Sequence, residues 1–199
     1  MATPDPPPYS ITPAILRLVA EIAEEVGRLS VLTGSSNLPK LRRESRIRSI
    51  HASLAIENNT LSLEQVSSVI LGKRVLGPPK EIHEVKNAFA AYEAMPDWNP
   101  SSVKDLLKAH RMMLEGLVDD AGKFRRSAVG ITQGSKLVHL APPAAGVPGL
   151  MKDLLAWLRR TDAHPLIASC VFHYELEFIH PFADGNGRMG RLWQTLILS

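Results

Sequence analysis

Apolar residues recur at spacings of three and four along most of this 199-residue chain. That period suits helices packed face to face and little else. Thr12-Pro13 reads as a cap followed by a first-turn proline, after which Ile15, Val19, Ile22, Val26 and Leu29 mark one helical face. Gly34-Ser35-Ser36-Asn37 reads as a linker. A second helix is predicted from about Leu41 to Glu57, with Ile47, Ile50 and Leu54 inward. Ser62 and Gln65 make a capping box, Leu61 and Val66 are spaced as a hydrophobic staple, and Gly72 ends that short helix. Amphipathic stretches follow over about 80–95, 102–116 and 147–161, and Pro165 opens a helix carrying Ile167, Val171, Phe172 and Phe178. One segment departs from the helical period. Val129-Gly130-Ile131 and Leu137-Val138-His139-Leu140 are β-formers around Gln133-Gly134-Ser135, the pattern of a hairpin. The predicted fold class is mainly α, a helical bundle with a small β-hairpin. Leu192 to Ser199 carry no helix C-cap signal, so the native chain is expected to continue past Ser199, with a further domain there left open.

With 45% hydrophobic and 22% charged residues, the chain has the balance of one globular domain able to bury its own core. The net charge of +3 is concentrated at Lys40, Arg42, Arg43, Arg46 and Arg48, opposed there by Glu44 alone. On a helix this reads as a solvated face, so no nucleic-acid partner is predicted. No apolar stretch is long enough to span a bilayer. Met1 to Pro8 lacks the basic and apolar regions of a signal peptide and reads as a stiff, disordered lead-in. Cys170 is the one cysteine, which excludes an internal disulfide and a cysteine-based metal site. The expectation is a cytoplasmic protein without membrane contact.

The densest chemistry lies in His180-Pro181-Phe182-Ala183-Asp184-Gly185-Asn186-Gly187-Arg188-Met189-Gly190-Arg191. Gly185 and Gly187 can adopt positive φ, which turns successive N–H groups inward as an anion-binding nest. A helix opening near Gly187 or Arg188 adds its free N–H groups and the positive end of its dipole. Arg188 and Arg191 are three apart and share a helical face. Asp184 is a hard oxygen ligand suited to Mg²⁺. Histidine is the residue type that titrates nearest neutrality, which marks His180 as a general base. An EF-hand is excluded because no glutamate stands at the twelfth place, and a Walker loop because no Lys-Ser or Lys-Thr follows the glycines. The run reads as a phosphate site with a metal ligand and a base beside it. His110, His139 and His173 read as structural histidines.

Ser53 and Glu57 are four apart and project from one face near a helix C-terminus. The dipole disfavours a carboxylate there, so Glu57 either points into water or meets a cation.

The run from His180 to Arg191 resembles the HPFx(D/E)GNGRxxR signature of Fic-domain proteins at every specified position. Ser53-Leu54-Ala55-Ile56-Glu57-Asn58 is similar to that family's inhibitory (S/T)xxxE(G/N) motif, and its position ahead of the core resembles the class II arrangement, acting in cis. Gly122-Lys123-Phe124-Arg125 looks like the family's stretch before its hairpin flap. The resemblance covers roughly residues 45–199. Residues 1–40 match no motif of the family and are expected to form an N-terminal extension with one helix and a linker, ahead of a Fic core over 41–199 that includes an inhibitory helix at about 41–58. The implied activity is transfer of AMP from ATP to a Ser, Thr or Tyr hydroxyl of a target protein. His180 would be the base and Asp184 the Mg²⁺ ligand. Asn186, with Gly185 and Gly187, would stabilise the α-phosphate, and Arg188 and Arg191 would clamp the outer phosphates. Glu57, with Ser53, would inhibit by engaging Arg191. The target segment would dock at the 129–140 hairpin, with a homodimer left open. Two other functions stay open: hydrolytic removal of AMP by the same site, and a non-catalytic nucleotide-sensing module.

Overall fold

The computed structural model of the chain describes residues 6–32, 34–133 and 136–199. Helices α1 (Pro13–Leu32), α2 (Gly34–Ile56), α3 (Leu63–Ile70), α4 (Pro79–Ala94) and α5 (Val103–Leu114) lead to a strand pair, β1 (Gly130–Gln133) and β2 (Lys136–Leu140). Helices α6 (Val147–Arg160), α7 (Pro165–Ile179) and α8 (Asn186–Ile197) complete the chain. The fold is mainly helical. Among the described residues no helix is long and apolar enough to cross a membrane.

Local sequence sets most of the boundaries. Ser62 Oγ accepts from Gln65 N–H while the Gln65 side chain accepts from Ser62 N–H, the capping box that opens α3. Leu61 and Val66 are both buried beside it. Gly72 at φ 73° follows the end of that helix. Prolines open α4, α6 and α7 within the first turn, where no intrahelical donor is required. The core is built from Ile50 and Leu54 of α2, Val85 of α4, Leu106 of α5, Phe172 of α7 and Trp193 of α8, with their neighbours.

Two expectations need correction. The linker read at Gly34-Ser35-Ser36-Asn37 is the first turn of α2, which begins at Gly34. Weak helix formers are tolerated there because the first turn's N–H groups have no intrahelical partner to lose. The proline lead-in, from Pro6 onward, lies against the body: Pro6 to Pro8 line a cavity with Pro142 and Leu150, and Tyr9 meets Trp157 edge-on at 6.1 Å. The apolar face of α1 is only partly used, since Ile22 and Val26 stay exposed.

Strands β1 and β2 are antiparallel, pairing Gly130 with Leu140 and Gln133 with Lys136, with an irregularity between Ile131 and Thr132. The turn expected at Gly134-Ser135 falls outside the described residues. The most intimate helix pair is α7 with α8, and the loop joining them carries the motif.

Candidate active site

His180 caps α7 in a left-handed conformation, φ 50° and ψ 61°, which is uncommon for a residue with a Cβ. Its N–H bonds Leu176 O at 2.8 Å, so the chain turns sharply out of the helix as it reaches the imidazole. Gly185, at φ 82°, is the N-cap of α8, and a Cβ there would stand 2.7 Å from Leu114 Cδ2. Only glycine satisfies both the dihedral and the contact. Gly187 is needed for another reason than the one read from sequence. It is helical, and a Cβ there would lie 2.6 Å from Glu57 Oε1 and 2.9 Å from Arg191 Nη1.

The loop is braced from within and behind. Asn186 is buried; its Oδ1 accepts from Phe182 N–H and its Nδ2 donates to Phe182 O, each at 2.9 Å. Its side chain therefore closes the turn and does not face a phosphate, a correction to the sequence reading; its main-chain N–H at the start of α8 is what it offers an anion. The buried Phe182 ring stacks on His110 at 3.8 Å and 5°. Nδ1 of His110 accepts from Gly122 N–H at 2.8 Å, so Nε2 carries the proton and donates to Asp184 O at 3.0 Å. Burial pushes the His110 pKa down to about 4, against its hydrogen bond to Asp184, which favours the charged form.

Arg125, 4% exposed, grips the loop from the strand side. Its Nε donates to His180 O at 2.7 Å, Nη1 to Ser127 O at 2.8 Å, and Nη2 to Pro142 O at 2.5 Å and Ile179 O at 3.3 Å. One guanidinium thus ties the histidine backbone to both flanks of the strand pair.

The two arginines of α8 are differently engaged. Arg188 is buried between Asp184 Oδ1 at 3.0 Å and Glu84 Oε1 at 3.7 Å. Glu84 Oε2 in turn accepts from Asn59 Nδ2 at 2.9 Å, just past the end of α2. Arg191 faces that end directly. Its Nη2 lies 2.7 Å from Glu57 Oε1 and 3.0 Å from Ser53 O, and its Nε donates to Ser53 Oγ at 2.8 Å. The cation that Glu57 requires at a helix C-terminus is therefore Arg191. Ser53, Glu57, His180, Asp184, Gly185, Asn186, Gly187, Arg188 and Arg191 all belong to one neighbourhood.

Asp184 keeps a half-exposed carboxylate at the rim, with Oδ1 bonded by Gly185 N–H and Arg188. Among the described residues no three His, Cys, Asp or Glu side chains gather around a metal position. A half-exposed carboxylate beside the free N–H groups that open α8 fits Mg²⁺, since this ion keeps few protein ligands.

Sequence reasoning missed Glu84, Arg125 and Glu177, and gave His110 only a structural part. The left-handed His180 was missed as well. The signals available were thin: Arg125 stood in a recognised stretch without a role, and Glu177 lies one turn before His180 on the same face.

The Fic/DOC family model matches residues 100–198. A protein adenylyltransferase Fic of Aedes aegypti is 35% identical over 85% of this chain and 35% of its own length, so the chain spans about a third of that relative. A crystal structure of a Fic family protein from Desulfovibrio desulfuricans G20 superposes with a TM-score of 0.93 at 66% identity, covering 98% of this chain and 60% of that one. Fic-1 of C. elegans (aa134–508) superposes with a TM-score of 0.76 at 27% identity, over 93% of this chain and 59% of that one. With the signature of residues 180–191 running from the end of α7 into the first turns of α8, and relatives of this kind along its length, the chain belongs to the Fic family.

Proposed function

We propose that this chain is an autoinhibited protein adenylyltransferase of class II type, transferring AMP from ATP to a hydroxyl of a target protein. The observation that carries the reading is the contact of Glu57 with Arg191, 2.7 Å apart beside a complete signature loop. Relatives named protein adenylyltransferase support the chemistry. His180 takes the proton from the target's Ser, Thr or Tyr hydroxyl as its oxygen bonds to the α-phosphorus. The bond from that phosphorus to the bridging oxygen breaks, and pyrophosphate leaves. The N–H groups opening α8 at Asn186 and Gly187, which lack intrahelical acceptors, bind the charge that develops on the α-phosphate. Arg188 and Arg191 suit the outer phosphates through planar donor pairs. Asp184 would hold Mg²⁺, which supplies neutralising charge on the departing phosphates.

Inhibition follows from occupancy. With its guanidinium engaged by Glu57 and Ser53, Arg191 cannot also grip the γ-phosphate, so ATP lies with its α-phosphorus poorly aligned. Strands β1 and β2 suit the capture of a target segment by strand addition, since a two-stranded pair leaves two edges of main-chain donors and acceptors. The site is read as working in the cytoplasm.

Replacing the base tests the chemistry. In a chain freed by Glu57→Gly, His180→Ala should abolish transfer from α-labelled ATP while ATP binding persists, because the phosphate contacts come from α8 and the arginines. Substantial transfer by a folded His180→Ala chain contradicts the assignment.

A further inference from the structure

Helix α7 ends in a polar cluster that this reaction does not use. Glu177 stands one turn before His180; its Oε1 is buried and, among the described residues, has no hydrogen-bond partner, as is true of His173 Nδ1 one turn further back. Both groups press on α8 at Gly190, where a Cβ would stand 2.7 Å from Glu177 Oε1 and 3.1 Å from His173 Nδ1. Glycine at 190 therefore leaves room for a carboxylate and an imidazole where two helices cross. Burial raises the Glu177 carboxyl above its ordinary range, against the pull of His173, His180 and Arg191, while Glu57 adds to the rise. A half-buried carboxylate with one oxygen unpartnered, set beside the proposed base, points to a task there.

That carboxylate meets the base from behind. Nδ1 of His180 is 3.9 Å from Glu177 Oε2 and 3.4 Å from the Glu177 main-chain carbonyl. The carbonyl accepts at the long end of hydrogen-bond range, and the carboxylate oxygen stands opposite the same nitrogen at ion-pair distance. A ring nitrogen facing two acceptors carries the proton, which leaves the lone pair on Nε2. The left-handed backbone at His180 and the grip of Arg125 on its carbonyl fix where the ring starts from. We infer that Glu177 is a positioning residue for the base: it holds His180 as the Nδ1–H tautomer and stabilises the imidazolium formed when Nε2 takes the hydroxyl proton. Gly190 leaves the carboxylate its place against α8, beside His173. The inference rests on the reading of His180 as general base and deepens it. The titratable and charged groups facing Glu177 are His173 and His180 on its own helix, Arg191 on α8 and Glu57 past the end of α2. Because Arg191 is engaged by Glu57 and Ser53, the imidazoles of α7 are the groups on which Glu177 acts.

Two measurements on the whole chain test this, with and without Glu177→Gln or Glu177→Asp: the first in the otherwise unchanged chain, where Glu57 keeps Arg191 engaged, and the second in a Glu57→Gly background. Nitrogen-15 NMR of labelled histidines, with His180 assigned through His180→Ala, reads the tautomer without any need for activity. AMP transfer followed against pH reads the chemistry. The expected result is an Nδ1–H tautomer at His180 when Glu177 is present and a mixed population in Glu177→Gln. The acid limb of the pH–rate profile should move down by about one pH unit and the plateau should fall about tenfold, a fraction of the ~100-fold or more that a positioned base supplies. Glu177→Asp, which keeps the charge on a shorter stem, should recover part of both. An unchanged tautomer and titration of His180 in Glu177→Gln overturns the inference, as does a uniform loss of rate with an unmoved acid limb. A chain that transferred no AMP at all would contradict the proposed function, and the NMR arm would still decide the role of Glu177.

Discussion

Glu57 and Arg191 are 134 positions apart in sequence and 2.7 Å apart in space. The pair joins the end of α2 to the second turn of α8, so the segment that precedes the core is physically seated on the site. Arg191 has a further hold on α2 through both the hydroxyl and the carbonyl of Ser53.

The Ser53 hydroxyl should therefore contribute a minor part of the restraint. A half-exposed hydrogen bond from a charged guanidinium is worth roughly 1.5 kcal/mol net, about tenfold in a rate. Ser53→Ala should raise AMP transfer by about that factor, far less than removal of Glu57. Steady-state labelling with α-labelled ATP checks it; activation equal to that of Glu57→Gly would mean that the carboxylate is not the principal restraint.

Asp184→Ala should remove the Mg²⁺ dependence of ATP binding and with it the transfer activity, because Asp184 is the one carboxylate between His180 and Arg191. The substitution also deprives Arg188 of one of its two carboxylate partners, leaving Glu84. Calorimetric titration of ATP in Mg²⁺ and in EDTA, in the Glu57→Gly background, measures the effect. Unchanged Mg²⁺-dependent affinity would place the ligand elsewhere.

His110 links stability to pH. Its pKa is about 4 in the folded chain, held down by burial, against an ordinary 6.5 when unfolded. The unfolded chain therefore binds a proton that the folded chain refuses. Stability from this group is whole above about pH 6.5, declines as pH falls, and has lost about 3 kcal/mol by pH 4, since each pKa unit is worth about 1.4 kcal/mol. Urea unfolding at pH 7 and pH 4.5 should show that decline, and His110→Gln should flatten it. An equal decline in the variant would assign the acid sensitivity to other groups.

Local patterns were legible where a spacing on one helix decides the outcome. Arg188 with Arg191, Ser53 with Glu57, and Ser62 with Gln65 each follow from the helical period, and the family resemblance named the partner of Glu57. What escaped depends on contacts between distant segments. His110 reaches Asp184 across 74 positions and Arg125 reaches His180 across 55, with no local signal for either. Asn186 was misread because its amide can serve the backbone as readily as a phosphate, and the tight turn at Phe182 decides for the backbone. The start of α2 was misread because Gly34 to Asn37 are weak helix formers that a helix N-terminus nevertheless accommodates.

Release of Arg191 tests the central claim most directly. Wild type, Glu57→Gly, Arg191→Ala and the double variant are each incubated with α-labelled ATP, Mg²⁺ and a cell lysate, and protein-bound label is counted. The account predicts a rise of about 100-fold or more for Glu57→Gly, because realigning a phosphorus by ~1 Å is worth about that much. It predicts no activation for Arg191→Ala, and loss of the gain in the double variant, since the γ-phosphate clamp goes with the inhibition. A Glu57→Gly chain that gains no labelling, yet loses the ability to remove AMP from a modified protein, would contradict the account and assign Glu57 to positioning a hydrolytic water.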